Sequence, residues 1–288
     1  MAECEPSAQQ FTLDDALGVD TRRFMDLRVP EYAYMFGFLQ ADGHLYQGAG
    51  QKGRLTVELN VRDIDLLHRF KYLTPYNSSV TERSRSTNFA ENQRSAVWSV
   101  CSLDARTKLN ELGLPYGRKS KNITPPRVEF SRRDYLRGVI DADGSVGFTK
   151  PGLPFISLTT ASTAIVAYLC FYARKITSVE RRPRRNQRDD IYNITYITEA
   201  AQALCEHLYY PDCLSLRRKQ TAAESVMNWV RPAGSKPRPP RIHWTRDMDR
   251  TLLAAPTVAE AAVELNFSRS ACQVRRWKLL NGVVPLPD

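Results

Sequence analysis

A nine-residue pattern occurs twice in this chain and constrains its fold more than any other feature. The first copy is Met35-Phe36-Gly37-Phe38-Leu39-Gln40-Ala41-Asp42-Gly43, and the second is Leu136-Arg137-Gly138-Val139-Ile140-Asp141-Ala142-Asp143-Gly144. Gly, Ala, Asp and Gly are identical in the two copies, and the acids are 143 − 42 = 101 residues apart. A repeat at this distance predicts two similar half-domains.

Each copy predicts a helix that ends on an acid, over residues 31–42 and 132–143. Pro30 suits the first turn of the first helix, and Ser131 with Asp134 resembles a capping box for the second. Gly43 and Gly144 then fall where a left-handed residue is expected to end each helix.

The small residues of each helix predict the face on which the two helices pack. Gly37 and Ala41 are four residues apart, as are Gly138 and Ala142, so each pair lies on one face. A face without bulk allows a second helix to come close, and the simplest partner is the other copy. This interface would bring the two acids that follow it together.

Asp42 and Asp143 would then form a pair of carboxylates at two helix C-termini. The helix dipole disfavours a negative charge there, and neighbouring carboxylates repel each other. A divalent cation removes both problems, and hard oxygen ligands suit Mg²⁺. The alternative is two buried helices with exposed Asp-Gly turns.

Both stretches resemble the LAGLIDADG motif of homing endonucleases, whose single-chain members carry one motif per half. The resemblance implies that Asp42 and Asp143 are catalytic metal ligands, helped by the backbone carbonyls of Ala41 and Ala142. The earlier Asp of the motif is Gln40 in the first copy, at a position that is not the metal ligand.

Two lysines follow the acids at matched offsets. Lys119 lies 119 − 42 = 77 residues after its acid, and Lys219 lies 219 − 143 = 76 after its own. The resemblance implies that both stabilise charge on the phosphate or polarise the attacking water; the alternative is a pair of surface lysines that contact phosphates. Asn60, and Thr159 less directly, occupy the strand position where the family places a polar residue that orients water.

The order of predicted elements is αββαββα in each half, an α+β fold. Two pseudo-twofold-related half-domains would form a saddle of antiparallel sheets with one free face for DNA. The predicted domains are a lead-in over 1–28, half-domains over 29–126 and 127–230, a basic Pro-rich linker over 231–240 and an all-α unit over 241–288.

Basic residues cluster where hairpin connections would meet DNA, and the net charge of +10 favours a polyanionic partner. Arginine pairs bidentately with guanine and with phosphate. A solvated charged loop is the alternative. The first hairpin supplies Arg83, Arg85 and Arg94; the second supplies Arg181, Arg182, Arg184, Arg185 and Arg188.

The C-terminal region resembles a helix-turn-helix with its third helix as reader. Thr245, Thr257 with Glu260, and Ser268 are expected to cap three short helices. Val274 and Trp277 are expected to point inward. The predicted DNA-binding residues of the third helix are Arg269, Gln273, Arg275, Arg276 and Lys278. A three-helix packing module is the alternative.

The sequence therefore predicts a site-specific double-strand endonuclease that hydrolyses both strands across the minor groove with Mg²⁺. Mn²⁺ should substitute, and Ca²⁺ should support binding without cleavage. We expect an intracellular monomer in the cytoplasm or nucleoid that binds a long, nearly asymmetric duplex site. The six cysteines form no C-x-x-C pair, and no stretch suits a membrane. The rival interpretations are a catalytically inactive LAGLIDADG-derived transcription regulator and an intron-splicing maturase.

Overall fold

The chain divides into two compact units, Met1–Arg231 and Pro232–Asp288. This computed structural model describes residues 23–87, 90–234 and 242–287. Most of the predicted lead-in, most of the Pro-rich linker and the side chain of Arg85 lie outside the described part. The larger unit contains helices and strands, and the smaller unit is helical. All described strand pairs are antiparallel.

The first part of the larger unit has the predicted αββαββα order. Its sheet is antiparallel with strand order β1-β2-β4-β3. Its elements are α1 (Pro30–Asp42), β1 (His44–Tyr46), β2 (Arg54–Asn60), α2 (Ile64–Leu73), β3 (Ser78–Thr87), β4 (Ala90–Val100) and α3 (Leu103–Glu111).

The second part of this unit lacks the predicted fourth strand among its described residues. Its antiparallel sheet has the order β5-β6-β7. Its elements are α4 (Arg132–Asp143), β5 (Gly144–Phe148), β6 (Pro154–Thr160), α5 (Thr163–Thr177), β7 (Tyr192–Ile197), α6 (Glu199–Leu208) and α7 (Arg217–Met227).

The predicted order of elements places a strand at residues 177–179, before the arginine-rich connection. Helix α5 continues through Thr177 instead, and Ser178 ends it in the left-handed region at φ 57°. Beyond it, Pro183 has no N–H to offer to a ladder, and only Arg185 makes an isolated bridge, to Tyr192. The connection to β7 is therefore a loop rather than the first strand of a hairpin.

Helices α1 and α4 lie at the centre of the larger unit, and almost all of α1 is buried. Leu67 and Phe70 of α2 are three residues apart, lie on one face of the helix and are buried in the core. Phe70 contacts Trp98 of β4 edge-to-face at 5.9 Å between ring centroids. The core begins earlier than the predicted domain boundary, because Phe24 and Leu27 are fully buried within residues predicted to be a lead-in.

The prediction of left-handed glycines after the two central helices is wrong. Gly43 has φ −72° and Gly144 has φ −101°, because each leads directly into a strand rather than reversing the chain. Both positions still exclude a side chain. A Cβ would lie 2.7 Å from the oxygen of Leu39 at Gly43, and 2.5 Å from the oxygen of Ser157 at Gly144.

Two residues at helix N-termini, the predicted cap Ser131 and the N-cap residue Asp63, use their side chains for other contacts. Ser131 occupies the N-cap of α4 but donates its hydroxyl to the Asp134 carboxylate, so it makes no backbone cap. Asp63, at the start of α2, makes no cap either. Its buried carboxylate instead accepts a 3.1 Å hydrogen bond from Arg218 of α7.

The smaller unit contains α8 (Arg246–Ala254), α9 (Val258–Glu264) and α10 (Arg269–Leu280). The predicted caps are confirmed: Thr245, Thr257 and Ser268 each accept a backbone N–H. In the described residues, no helix is long and apolar enough to cross a bilayer.

The inward face of α10 differs from the prediction. Val274 and Trp277 are 55% and 57% exposed, whereas Cys272 and Leu279 are buried. The buried positions are seven residues apart, close to two helical turns, so they share a face. Val274 and Trp277 lie on the opposite side.

Candidate active site and nucleic-acid interface

Helices α1 and α4 pack with their backbones in contact. A Cβ on Gly37 would lie 2.2 Å from the carbonyl oxygen of Tyr135, and a Cβ on Gly138 would lie 2.1 Å from that of Tyr34. The two contacts are equivalent, because 138 − 37 and 135 − 34 both equal 101. Ala41 and Ala142 are half-exposed one turn later, towards the solvent end of this interface.

Asp42 and Asp143 are the last residues of these helices and remain exposed to solvent. Desolvation on the protein side raises the pKa of both carboxyl groups, and the charge of Asp42 raises that of Asp143 further. The ammonium groups of Lys119 and Lys219 oppose these shifts. Two acids and two bases therefore interact at one end of the helix pair.

Both lysines are buried and donate to the carbonyl oxygens that end the helices. Lys119 donates to Gln40 at 2.6 Å and to Ala41. Burial lowers the pKa of its ammonium, which Asp143 and Asp42 oppose. The last carbonyls of a helix lack intrahelical partners, and its dipole attracts cations there. Lys119 is thus a side-chain cap for the helix that carries Asp42.

Lys219 caps the second helix with a larger set of acceptors. Its Nζ donates at 2.8 Å to Ile140, 2.6 Å to Asp141 and 2.7 Å to Gly144. Burial lowers its pKa to about 8. Lys119 is 8% exposed and Lys219 is 4% exposed. The alternative, a pair of surface lysines that contact phosphates, does not fit side chains this deeply buried.

A buried polar layer below the acids was missed by the sequence analysis. Gln40 accepts a 2.6 Å hydrogen bond from the hydroxyl of Tyr135 and donates to Gly113 and Thr124. These carbonyls flank the loop that leads to Lys119. The layer therefore holds one helix, the other helix and the lysine-bearing segment together.

Asp141 makes the equivalent contacts in the second copy. Its carboxylate accepts 2.7 Å hydrogen bonds from the hydroxyls of Tyr34 and Tyr209 and from the N–H of Leu216. A signal for part of this layer is present in the sequence, since a tyrosine precedes each acid by eight residues.

The donor set suits a divalent ion with few protein ligands. Two carboxylates meet here beside backbone carbonyls, and the described residues contain no cluster of three or more His, Cys, Asp or Glu side chains. Mg²⁺ binds through one or two carboxylates and keeps waters or phosphate oxygens in its other positions. Zinc sites of three or four N and S ligands do not match this arrangement.

The predicted water-orienting residues lie on exposed strand positions. Asn60 ends β2, and its side-chain oxygen accepts a 3.1 Å hydrogen bond from the N–H of Arg62. Thr159 of β6 donates at 2.8 Å to Asn193 of β7. Both side chains are therefore held by local partners.

The exposed face of the first sheet is concave and polar. Arg83 lies on it, while the predicted Arg94 pairs with Glu82 at 2.6 Å. Strand alternation in β1 and β2 was the signal for the lining residues that the sequence analysis missed. The full lining is His44, Tyr46, Arg54, Thr56, Glu58, Arg83 and Val97.

The arginine-rich loop, residues 181–188, has acidic partners for several of its guanidinium groups. Arg182 pairs with Glu180 at 2.9 Å, and Arg188 with Asp189 at 2.7 Å. Both acids lie within two residues of the arginines with which they pair, so the sequence of the loop and its flanks already contains this signal. Arg184 is exposed.

The remaining two arginines of the loop contact aromatic rings. Arg185 lies over Tyr192 at 4.7 Å and pairs with Asp190 at 3.1 Å. Arg181 lies over Tyr196 at 5.5 Å. The loop thus combines exposed guanidinium groups with partners that fix their positions.

In the smaller unit, Arg275 does not face solvent as a DNA reader would. Its guanidinium donates to both carboxylate oxygens of Asp249, and the two side chains are 17% and 5% exposed. Arg269 and Gln273 are exposed, and Arg276 and Lys278 are half-exposed. The charge of Arg275 is therefore used inside the helical unit.

No protein-family model matches the sequence, and no curated protein matches it. Solved structures of several endonucleases are similar to this chain, among them those of I-WcaI, I-LtrWI and I-DmoI. The homing endonuclease I-WcaI bound to its DNA recognition sequence aligns with 14% identity and a TM-score of 0.45, over 72% of this chain and 96% of that one.

The LAGLIDADG homing endonuclease I-LtrWI bound to target DNA gives 11% identity and a TM-score of 0.42, over 69% of this chain and 88% of that one. I-DmoI in complex with DNA and Mn aligns with 11% identity and a TM-score of 0.42, over 63% of this chain and 97% of that one. Since these TM-scores are below 0.5, the function proposed below rests on the residues of this chain.

Proposed function

We propose that this chain is a site-specific DNA endonuclease of the LAGLIDADG homing type, which hydrolyses both strands of a duplex with a divalent metal ion. The single observation that carries the proposal is the paired end of α1 and α4. There, Asp42 and Asp143 are exposed carboxylates with raised pKa values, and a buried lysine lies beside each helix end. Structural carboxylates rarely occupy two adjoining helix C-termini, where charge and dipole both oppose them.

Asp42 and Asp143 would hold the metal, together with the backbone oxygens of Ala41 and Ala142. A bound Mg²⁺ supplies a water of lowered pKa and neutralises the leaving oxygen. Mn²⁺ should replace it, and Ca²⁺ should support DNA binding without cleavage. The ligands are hard oxygens, which accept all three ions.

Lys119 and Lys219 place two positive charges within the range of the acids. Their roles in the proposed reaction are to stabilise negative charge that develops on the phosphate and to keep the helix ends fixed. Asn60 is the proposed water-orienting residue of the first half, with Thr159 its weaker counterpart in the second.

The proposed DNA-binding surfaces of the larger unit are the outer sheet faces and the arginine-rich loop. The C-terminal unit is proposed to bind DNA through a surface of its own. The two halves would lie across the minor groove as a pseudo-twofold saddle, and cleavage would occur beneath α1 and α4. Because the halves differ in sheet size and loop sequence, a monomer would read a long and nearly asymmetric site. In the helix-turn-helix interpretation, Arg269, Gln273, Arg276 and Lys278 belong to the reader helix.

The test compares Asp42→Asn and Asp143→Asn with the wild-type chain. Cleavage sites are first found by digesting a randomised duplex library with Mg²⁺ and sequencing the ends. Each variant should lose double-strand cleavage while retaining its affinity for the site in Ca²⁺. Asp104→Asn, at an exposed acid in the first turn of α3, is the matched control and should cleave at the wild-type rate. Full cleavage by either active-site variant would refute the proposal.

Binding without catalysis is the competing function, as in a transcription regulator or an intron-splicing maturase. A wild-type chain that binds a selected duplex but leaves it intact in both Mg²⁺ and Mn²⁺ would establish a regulator. Preference for structured intron RNA over duplex DNA would establish a maturase. The paired acids favour cleavage, because a protein that only binds has no use for carboxylates facing phosphates.

The contribution of the C-terminal unit is tested by removing residues 232–288. The truncated chain should keep its fold, because the larger unit has a hydrophobic core of its own. Its affinity for the duplex site should fall. Unchanged affinity would show that the C-terminal unit has a different role.

A further inference from the structure

The outward face of α10 combines apolar and basic side chains in one stripe. Arg269, Gln273 and Trp277 follow each other at intervals of four residues, so they lie along one side of the helix. All three are exposed, as is Val274 next to them. A tryptophan that is 57% exposed on a small unit is unusual, because its ring normally contributes to the core.

The inward face of the same helix shows that this exposure does not result from a missing core. Cys272 and Leu279 fill the inner side together with Leu252 of α8. The buried ion pair of Arg275 with Asp249 completes the inner side. Trp277 is therefore available to a partner outside the unit, and Arg275 is not.

The charge around the stripe identifies the partner. Arg269 lies in the first turn of α10, and Arg276 and Lys278 border Trp277 on either side. Residues 231–288 carry 10 basic and 5 acidic residues, a net charge of +5. A protein partner for an apolar stripe would not need this excess, whereas a duplex requires cations for its phosphates.

We propose that the outward face of α10 enters the major groove, where Val274 and Trp277 contact thymine methyl groups and Gln273 contacts an adjacent adenine. The C5-methyl of thymine is the one apolar group exposed on a base edge there, and Gln pairs with the N6 and N7 atoms of adenine. The C-terminal unit then reads an A·T-containing segment of the duplex. This inference rests on the proposed DNA-binding function of the chain.

The test removes the methyl group from the DNA rather than a residue from the protein. The full chain, in EDTA to prevent cleavage, selects duplexes from a randomised library. Each selected thymine is then replaced by deoxyuridine, which differs only in the C5-methyl. The wild-type chain should bind a duplex with one deoxyuridine in the segment read by α10 about fourfold more weakly than the thymine duplex. This is the effect of losing one methyl group from an apolar contact.

The protein variants identify which side chains sense that methyl. Trp277→Ala and Val274→Ala should bind the thymine duplex more weakly, by about tenfold for Trp277. They should no longer distinguish thymine from deoxyuridine in the segment read by α10. Val263→Ala, at an 83% exposed position on α9, is the matched control and should show the wild-type difference. Thermal unfolding of each variant checks that the unit remains folded.

The outcomes separate this inference from the proposed function. Selection of a long duplex site with no dependence on thymine methyls would overturn the inference alone. An undiminished methyl effect in both Trp277→Ala and Val274→Ala would overturn it as well. So would a change in sedimentation without a change in DNA binding, because the stripe would then be a self-association surface. Failure to enrich any duplex would refute the inference and the proposed function together.

Discussion

The hydroxyl of Tyr135 donates a 2.6 Å hydrogen bond to the side chain of Gln40, across the contact between α4 and α1. The same relationship runs in the opposite direction between Tyr34 and Asp141, at 2.7 Å. Each helix thus supplies the donor for the residue two positions before the acid of the other. The two acids are positioned by a reciprocal pair of buried contacts.

Replacement of Tyr34 by Phe should destabilise the larger unit. The change removes one of three donors to the buried Asp141 carboxylate, and loss of such a bond costs about 1–3 kcal/mol. Urea unfolding monitored by circular dichroism measures the difference. Tyr72→Phe, at a 72% exposed tyrosine, is the control and should change the free energy of unfolding by less than about 0.5 kcal/mol. Equal effects of the two changes would show that the buried bond contributes nothing.

Gly138→Ala should also destabilise the larger unit, although alanine is the better helix former. The added Cβ would lie 2.1 Å from a backbone oxygen of Tyr34, so the helices must separate. Overpacking of this kind costs about 1–3 kcal/mol, and Gly37→Ala should behave alike. Glu224→Ala, on the exposed side of α7, is the control. A higher melting temperature for either glycine variant would show that the helices do not pack through their backbones.

Asp143→Asn should raise the melting temperature at neutral pH in the absence of divalent metal. Desolvation on its protein side and the charge of Asp42 raise the pKa of Asp143 in the folded state above its unfolded value. The ionised carboxylate therefore lowers stability at every pH above the folded pKa, and this penalty vanishes below the unfolded pKa. Thermal melts at pH 7 and pH 3 measure the difference, which should be present only at pH 7.

Divalent metal should reverse that order of stability. An ion that binds only the folded state raises the melting temperature by mass action, and the wild-type chain has both proposed ligands. Mg²⁺ or Mn²⁺ should therefore stabilise wild type more than Asp143→Asn. Identical shifts for the two chains would place the ion elsewhere.

Lys219→Met should uncouple the two strand cleavages. The substitution keeps an unbranched side chain one atom shorter than lysine but removes the ammonium that contacts Ile140, Asp141 and Gly144. Loss of one electrostatic donor typically lowers a rate by about 10²–10³-fold. The half-site of Lys119 is unchanged, so a supercoiled plasmid should accumulate as nicked circles. Direct conversion to linear DNA at the wild-type rate would contradict the proposed role.

The central helices were predictable from the sequence because their signals are local. The four-residue spacing of Gly37 with Ala41 in one helix, and of Gly138 with Ala142 in the other, predicts a close helix contact. The capping residue Thr257 marks the start of α9 within a few positions. The order of elements in the first half follows from periodicity for the same reason. Such features depend on neighbours within one or two turns.

The structure differs from the sequence-based predictions where contacts between residues distant in sequence determine the local structure. The partners of Asp141 lie 68 to 107 positions away, so no local pattern identifies them. Two faces of α10 are apolar enough to be buried, and one of them contains Trp277. The ion pair of Arg275 with Asp249 of α8 fixes which face packs inward. No strand forms before Pro183 because helix α5 continues through Thr177. The described residues between α5 and β7 do not pair in a ladder, apart from one isolated bridge at Arg185.

The acidic neighbours in the arginine-rich loop change how its DNA affinity should respond to ionic strength. Glu180 and Asp189 already neutralise Arg182 and Arg188 in the free protein. When a DNA phosphate binds one of these arginines, it displaces the carboxylate of the protein rather than a salt ion. That carboxylate stays close to the phosphate and repels it. Each such arginine adds less net charge to the contact than an unpaired one. The logarithm of the binding constant should therefore fall less steeply with the logarithm of salt concentration than the number of arginines implies.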